Sequence, residues 1–98
     1  MSERDRLYAY AVRRVEDAAA PEGVAGLGGA ELFHVAAGGL AVLVSRHDGG
    51  EIRRARRNVL AHLKAVEAAM ADGPVLPMRF GVAGAADGIA QAVAAREE

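Results

Sequence analysis

Glu31-Leu32-Phe33-His34-Val35-Ala36-Ala37-Gly38-Gly39-Leu40-Ala41-Val42-Leu43-Val44-Ser45-Arg46 reads as a β-hairpin. Two apolar runs flank a Gly-Gly pair, and a two-residue turn of this kind asks for positive φ, which glycine adopts without strain. Centring the turn on Gly38-Gly39 fixes the register. Phe33 then faces Val44, Val35 faces Val42, and Glu31 meets Arg46 at the open end as an opposite-charge pair. That face is core. The other carries Leu32, His34, Leu43 and Ser45, and it is more apolar than a solvated face requires.

Residues 7–15 upstream read as a further strand. Tyr8, Tyr10 and Val12 lie on one parity and Leu7, Ala9 and Ala11 on the other, so both faces are apolar, as in a strand at the middle of a covered sheet. The connection over 16–30 holds Pro21, Gly23, Gly26, Gly28 and Gly29. It reads as loop, with one helical turn at 17–20 and the glycines supplying flexibility.

Downstream, Asp48-Gly49-Gly50 breaks the chain and a helix is expected over 51–71. Stepping at about 100° per residue places Ile52, Ala55, Val59, Leu63, Val66 and Met70 on one stripe. Asp72-Gly73-Pro74 ends it, since glycine suits the left-handed cap and proline cannot continue the helix. Residues 75–82 form the next strand, with Leu76, Met78, Phe80 and Val82 on one face and Pro77 and Arg79 on the other. Pro77 assigns that strand to an edge. From Ala85 onward an alanine-rich helix follows, with Ile89 and Val93 as its apolar contacts.

The order is β-loop-β-β-α-β-α. It fits an α/β (α+β), modified ferredoxin-like fold: a four-stranded, mainly antiparallel sheet with helices on one face and the first crossover helix reduced to the glycine-rich loop. The first and third strands are central and the fourth lies at an edge. Leu32, His34, Leu43, Pro77 and Arg79 then fall on an open face, a candidate surface for a protein partner or for self-association.

Composition narrows the chemistry. The 98 residues amount to one domain, the formal net charge is −1, and cysteine is absent. A duplex-binding domain carries a strongly basic balance, so nucleic acid is not expected. Arg53-Arg54-Ala55-Arg56-Arg57 is the densest charge run, but it wraps around the helix start and reads as a solvated face. No apolar run is long enough to cross a bilayer, and the charged first residues are not a signal peptide. The cytoplasm is the expected compartment. His34, His47 and His62 share no ligand spacing, which argues against a metal site. Neither Ser2 nor Ser45 sits in a nucleophile elbow, and no glycine run makes a phosphate loop. No catalytic residue and no cofactor are expected. His62 reads as a boundary histidine bonded to backbone or solvent.

Val75-Leu76-Pro77-Met78-Arg79-Phe80-Gly81-Val82 resembles the V-L-P-x-R-F-G segment of the gas vesicle protein GvpF/GvpL family. Tyr8-Ala9-Tyr10 followed by Val12 is similar to its opening strand, and residues 38–45 to its hairpin strand. Asn58-Val59-Leu60-Ala61-His62-Leu63-Lys64-Ala65-Val66-Glu67 is similar to its helix with a histidine before Val-Glu. The resemblance covers most of the chain and implies a single domain over 1–98, like the N-terminal domain of a longer two-domain family. The motif positions carried over are His62, Glu67, Pro77, Arg79, Phe80 and Gly81, as structural residues. The resemblance further implies a non-enzymatic accessory protein that binds the gas vesicle shell protein and other gas vesicle proteins and assists assembly. The alternative is a ferredoxin-like dimer that closes a small-molecule or enzymatic pocket. Convergence of Tyr8, Tyr10 and His34 on a deep pocket would favour it.

Overall fold

The hairpin forms with the register its turn dictates. In the computed structural model, which describes residues 6–19, 23–47, 52–71, 73–85 and 88–89, β2 (Leu32–Ala37) and β3 (Leu40–Arg46) run antiparallel. Phe33 stands opposite Val44 and Val35 opposite Val42. Gly38 carries the positive φ of the turn, 65°. Arg46 places its guanidinium over the Phe33 ring, 5.4 Å from the centroid, instead of against Glu31.

β1 (Arg6–Arg14) pairs with β3 along one edge. Along its other edge it pairs with β4 (Leu76–Pro77) and then β5 (Ala83–Ala85). The order is β2-β3-β1-β4, with β5 also on β1 and every pairing antiparallel. The α+β class, the central place of β1 and β3 and the edge position of the Pro77 strand all follow the sequence reading.

Two irregularities depart from simple alternation. In β1, Ala9 faces Val44 but Ala11 faces Leu43, so Tyr10 is an extra, bulged residue. Beyond it the parity inverts: Val12 joins Leu7 and Ala9 on one face, while Ala11 joins Tyr8 and Tyr10 on the other. The second lies at the far edge. Ala11 pairs with Pro77, yet Tyr8 pairs with Ala83, so the expected strand over 75–82 is split and residues 79–81 loop out. Phe80 consequently packs on the opposite face from Met78 and Val82.

The sheet divides the core into two clusters. One is aliphatic: Leu7, Ala9, Val12, Val42, Val44 and Ile89. The other combines Tyr8, Tyr10, Leu32 and Leu43 with helix residues. The helix, α1 (Arg56–Met70), starts later than expected, with Ala55 as its N-cap. Nδ2 of Asn58 in its first turn donates to Arg53 O at 2.9 Å. Its buried residues are His62, Ala65, Val66 and Ala69. That face is rotated by about 70° from the expected stripe. Small Ala65 and Ala69 let the helix approach the sheet closely, while Leu63 and Met70 stay 50 % and 56 % exposed.

The open sheet face expected from the sequence is not there. α1 covers the side that carries Leu32 and Leu43, which are 3 % and 0 % exposed. Gly88 and Ile89 are helical, and Ile89 packs into the aliphatic cluster on the opposite side. The helices therefore do not share one face. Val93 lies outside the described residues. The helical turn expected at 17–20 is a 3₁₀ turn at Val15–Asp17, and a second spans Leu27–Gly29. Among the described residues no helix is long and apolar enough to cross a membrane.

Candidate functional site: a tyrosine–histidine clamp under the 78–81 loop

His62 is 5 % exposed and sits on the sheet side of α1. Its Nε2 lies 2.7 Å from Met78 O. A carbonyl oxygen only accepts, so Nε2 holds the ring proton and Nδ1 is left as an acceptor. The Tyr8 hydroxyl, 2.8 Å away, therefore donates to Nδ1. The Tyr8 oxygen in turn accepts from Gly81 N–H at 3.0 Å. One continuous chain thus ties the loop at both ends, Met78 through the imidazole and Gly81 through the phenol. Phe80 closes it from the side, with ring centroids 6.0 Å from Tyr8 and 5.9 Å from His62. Gly81 has φ 102° with open space around its missing Cβ, so backbone conformation and not crowding demands glycine there.

A second tie secures the glycine-rich loop. The Tyr10 hydroxyl accepts from Leu27 N–H at 2.9 Å and shares a hydrogen bond with Ser45 Oγ at 2.7 Å. Gly26 rests directly on it: a Cβ there would collide with the Tyr10 hydroxyl and reach within 3.0 Å of Ser45 Oγ. This glycine serves close approach, not the flexibility read from sequence. Tyr8 and Tyr10 contact edge-on at 4.8 Å, which joins the two ties into one buried cluster.

Electrostatics fix the protonation states. Burial pushes the Tyr8 phenol up to about 12 and raises Tyr10 as well. Burial lowers His62, partly offset by its bond to Met78 O. The clamp is a neutral network whose donors and acceptors are matched.

Arg13 was not singled out in the sequence, where nothing but a charge inside an apolar strand marks it. The bulge at Tyr10 turns it under α1, where it is 3 % exposed. Its Nη2 donates to Ala69 O at 2.6 Å, capping the last turn of the helix at the negative end of its dipole. Burial, then the Arg13 charge, lowers His34, whose Nε2 has no partner among the described residues.

The sequence-derived residues thus separate. His62, Phe80 and Gly81 converge with Tyr8 and Met78. Leu32 and Leu43 are interior, so they are not available as a docking surface, and His34 is half-buried. Arg79 is exposed at the looped-out segment, Pro77 is exposed in β4, and Glu67 is exposed on α1. Arg54, from the arginine run, lies over Phe80 at 5.6 Å. Tyr8 and Tyr10 are 1 % and 0 % exposed, and their hydroxyls bond to His62, Gly81, Ser45 and Leu27 inside the core. An open cleft of about 430 Å³ lies elsewhere, between the backbone of Gly23–Ala25 and Arg57, Leu60 and Lys64 of α1. Among the described residues no three metal-ligating side chains converge.

The clamp gives a physical role to His62, Phe80 and Gly81 among the motif positions, whereas Glu67, Pro77 and Arg79 lie exposed outside it. The family model described as gas vesicle synthesis protein GvpL/GvpF matches residues 6–98. This chain belongs to the GvpL/GvpF family. It is similar to the crystal structure of the gas vesicle protein GvpF from Anabaena sp. PCC7120, at 28 % identity and TM-score 0.68, over 82 % of this chain and 34 % of that one. It also shares the fold of GvpF from Microcystis aeruginosa, at 23 % identity and TM-score 0.73, over 91 % of this chain and 38 % of that one. The chain thus spans about a third of the length of either GvpF. No curated protein matches it.

Proposed function

We propose that this GvpL/GvpF chain is a non-enzymatic accessory protein of gas vesicle assembly, working in the cytoplasm at the vesicles. It binds the hydrophobic shell protein, alongside other gas vesicle proteins, and keeps it from aggregating while it nucleates. Family membership sets the context. The observation that carries the binding role is the outer face of α1, where Leu60, Leu63 and Met70 remain 43 %, 50 % and 56 % exposed. Large apolar side chains grouped on one exposed helix suit a protein partner. Arg57 and Lys64 flank Leu60 and supply a charged rim. Arg79, exposed at the clamped loop, is a second candidate contact.

The test is binding of purified shell protein to the wild-type chain, a Leu63→Glu/Met70→Glu variant and an Arg79→Ala variant. The helix variant is expected to lose binding while staying folded, and Arg79→Ala to weaken it. Equal binding by all of them removes these surfaces from the proposal, and no binding by the wild type removes the role.

The small-molecule alternative lacks support, since it needs Tyr8 and Tyr10 to face a pocket and both hydroxyls are bound inside the core.

A further inference from the structure

The sheet's two outer edges are built differently. The β4/β5 edge is short, carries Pro77, and is interrupted where residues 79–81 loop out. Such features block pairing with another strand. The β2 edge has none of them. Leu32-Phe33-His34-Val35-Ala36-Ala37 is continuous, contains no proline, no glycine and no Asp, Glu, Lys or Arg, and pairs with β3 without a bulge.

Hydrogen-bond parity shows which backbone groups of β2 are free. Val15 N–H donates to Gly39 O and His47 N–H to Arg6 O, so the odd-numbered positions at both ends of β3 turn their backbone toward β1. The even-numbered residues of β3 then turn toward β2, and through the observed register they engage Phe33, Val35 and Ala37. Leu32, His34 and Ala36 therefore aim their N–H and C=O groups outward. Among the described residues those groups have no partner; Ala36 is exposed and His34 half-buried, whereas Leu32, at 3 % exposure, is covered.

We infer that β2 is a self-pairing edge: two copies of this chain join antiparallel through β2 across a two-fold axis at His34, making one continuous sheet. The occupant is a second copy because a bare antiparallel edge is completed by another bare edge, and the far edge of a second copy is blocked. Pairing is thereby isologous and closes at two chains, whereas β2 against the far edge would run on as a filament. With the axis at His34, each His34 meets its symmetry mate in a hydrogen-bonded pair, and the outward groups of Ala36 lie opposite those of Leu32 of the second copy, which pair once the cover over Leu32, 3 % exposed in the single chain, moves aside. On the opposite face Phe33 stands against Val35 of the second copy, an aromatic–β-branched pair that stabilises sheets. No like-charged Asp, Glu, Lys or Arg side chains oppose each other within the paired strands. This self-association is independent of the shell-binding surface on α1.

The experiment is sedimentation equilibrium of the full chain across a concentration series, with variants at position 36. The wild type is expected to move from 10.1 kDa to about twice that mass. Ala36→Pro deletes an outward N–H that the monomer does not use, and Ala36→Lys puts a charge on the edge. Each is expected to raise the dimer dissociation constant at least about tenfold while circular dichroism stays native. If Ala36→Pro does not fold, Ala36→Lys decides. The chain has no cysteine, so a single His34→Cys variant adds a geometric readout. Oxidation is expected to give a cross-linked dimer, and an Arg79→Cys variant none, because hydrogen-bonded pairs sit about 5.5 Å apart at Cα, within disulfide reach. A chain that stays monomeric to millimolar concentration overturns the inference. So does a dimer that survives both substitutions, or equal cross-linking from positions 34 and 79.

Discussion

Each face of the sheet carries a buried cluster, and the two are differently made. The aliphatic side holds Leu7, Ala9, Val12, Val42, Val44 and Ile89. The α1 side holds two tyrosines, a serine, two histidines and an arginine, tied by directed hydrogen bonds, with Arg13 Nε and His34 Nε2 left without a partner among the described residues. Shape alone fixes the first; shape and directed bonds fix the second. The irregular segments, the 78–81 loop and the glycine-rich loop, are both anchored to the polar face. An apolar contact cannot position a backbone amide, whereas a phenol oxygen can. Regular strands need only a volume beneath them, but looped-out backbone needs named partners for its free groups.

The largest effect that would break this contrast is expected from His62→Ala. It empties a ring-sized space, strands the proton of the Tyr8 hydroxyl and frees Met78 O, at about 3–4 kcal/mol. Urea denaturation checks it. A loss no greater than for Val44→Ala would mean that the clamp behaves as ordinary packing. Gly26→Ala comes next, at about 2–3 kcal/mol, because the new methyl group meets the Tyr10 hydroxyl. This substitution carries a sign test. Tyr10→Phe alone should destabilise by unpairing Leu27 N–H and Ser45, yet in the Gly26→Ala background it should restore stability by removing the colliding atom. Additive effects in the double-mutant cycle would show that the loop moves away instead.

Isosteric changes sharpen the contrast. Tyr8→Phe keeps the ring but leaves Gly81 N–H and His62 Nδ1 unpaired, and should cost about 2 kcal/mol. Leu7→Ile on the aliphatic side keeps the volume and should cost under about 1.5 kcal/mol. Thermal melts of both variants rank the two faces directly. The reverse order would remove the distinction.

Much of the aliphatic face was legible in the sequence, and little of the polar one. The hairpin register followed from Gly38-Gly39 and strict alternation, because a two-residue turn leaves no freedom. The bulge at Tyr10 left no local signal, and it re-aims Ala11, Val12 and Arg13 together. The helix stripe was misplaced because summed apolarity favours Leu63 and Met70, whereas packing chose Ala65 and Ala69, whose smallness brings His62 to the sheet. The strand over 75–82 was read as unbroken because Phe80 fits the alternation. Only the positive φ at Gly81 and the bonds from Tyr8 and His62 make it a loop. Of the clamp, His62, Phe80 and Gly81 were marked by the family resemblance. Their common partner, Tyr8, was marked only through the opening strand's resemblance and the pocket alternative, and nothing in the sequence tied it to His62 or Gly81.

The smallest expected effect is on pH, and its sign follows from the polar face alone. In the fold the histidine is held neutral: burial lowers its pKa from 6.5, because the imidazolium form loses hydration and Nδ1 can no longer accept from Tyr8. The unfolded chain then binds more protons than the folded one in the range below pH 6.5, so stability rises with pH there. His34, lowered by burial and by Arg13, acts in the same direction. Stability is expected to be full above about pH 6.5 and to decline as pH falls toward the depressed folded values. Melting temperatures of wild type and of the non-titrating His62→Gln variant, measured from pH 8 to pH 5, separate the contributions. The variant should start lower and fall less steeply. If both fall in parallel, His34 carries the acid sensitivity and His62 does not titrate with folding. A decline that steepens only in the wild type locates the proton at the clamp, where protonating His62 breaks its bond from Tyr8 and loosens the 78–81 loop.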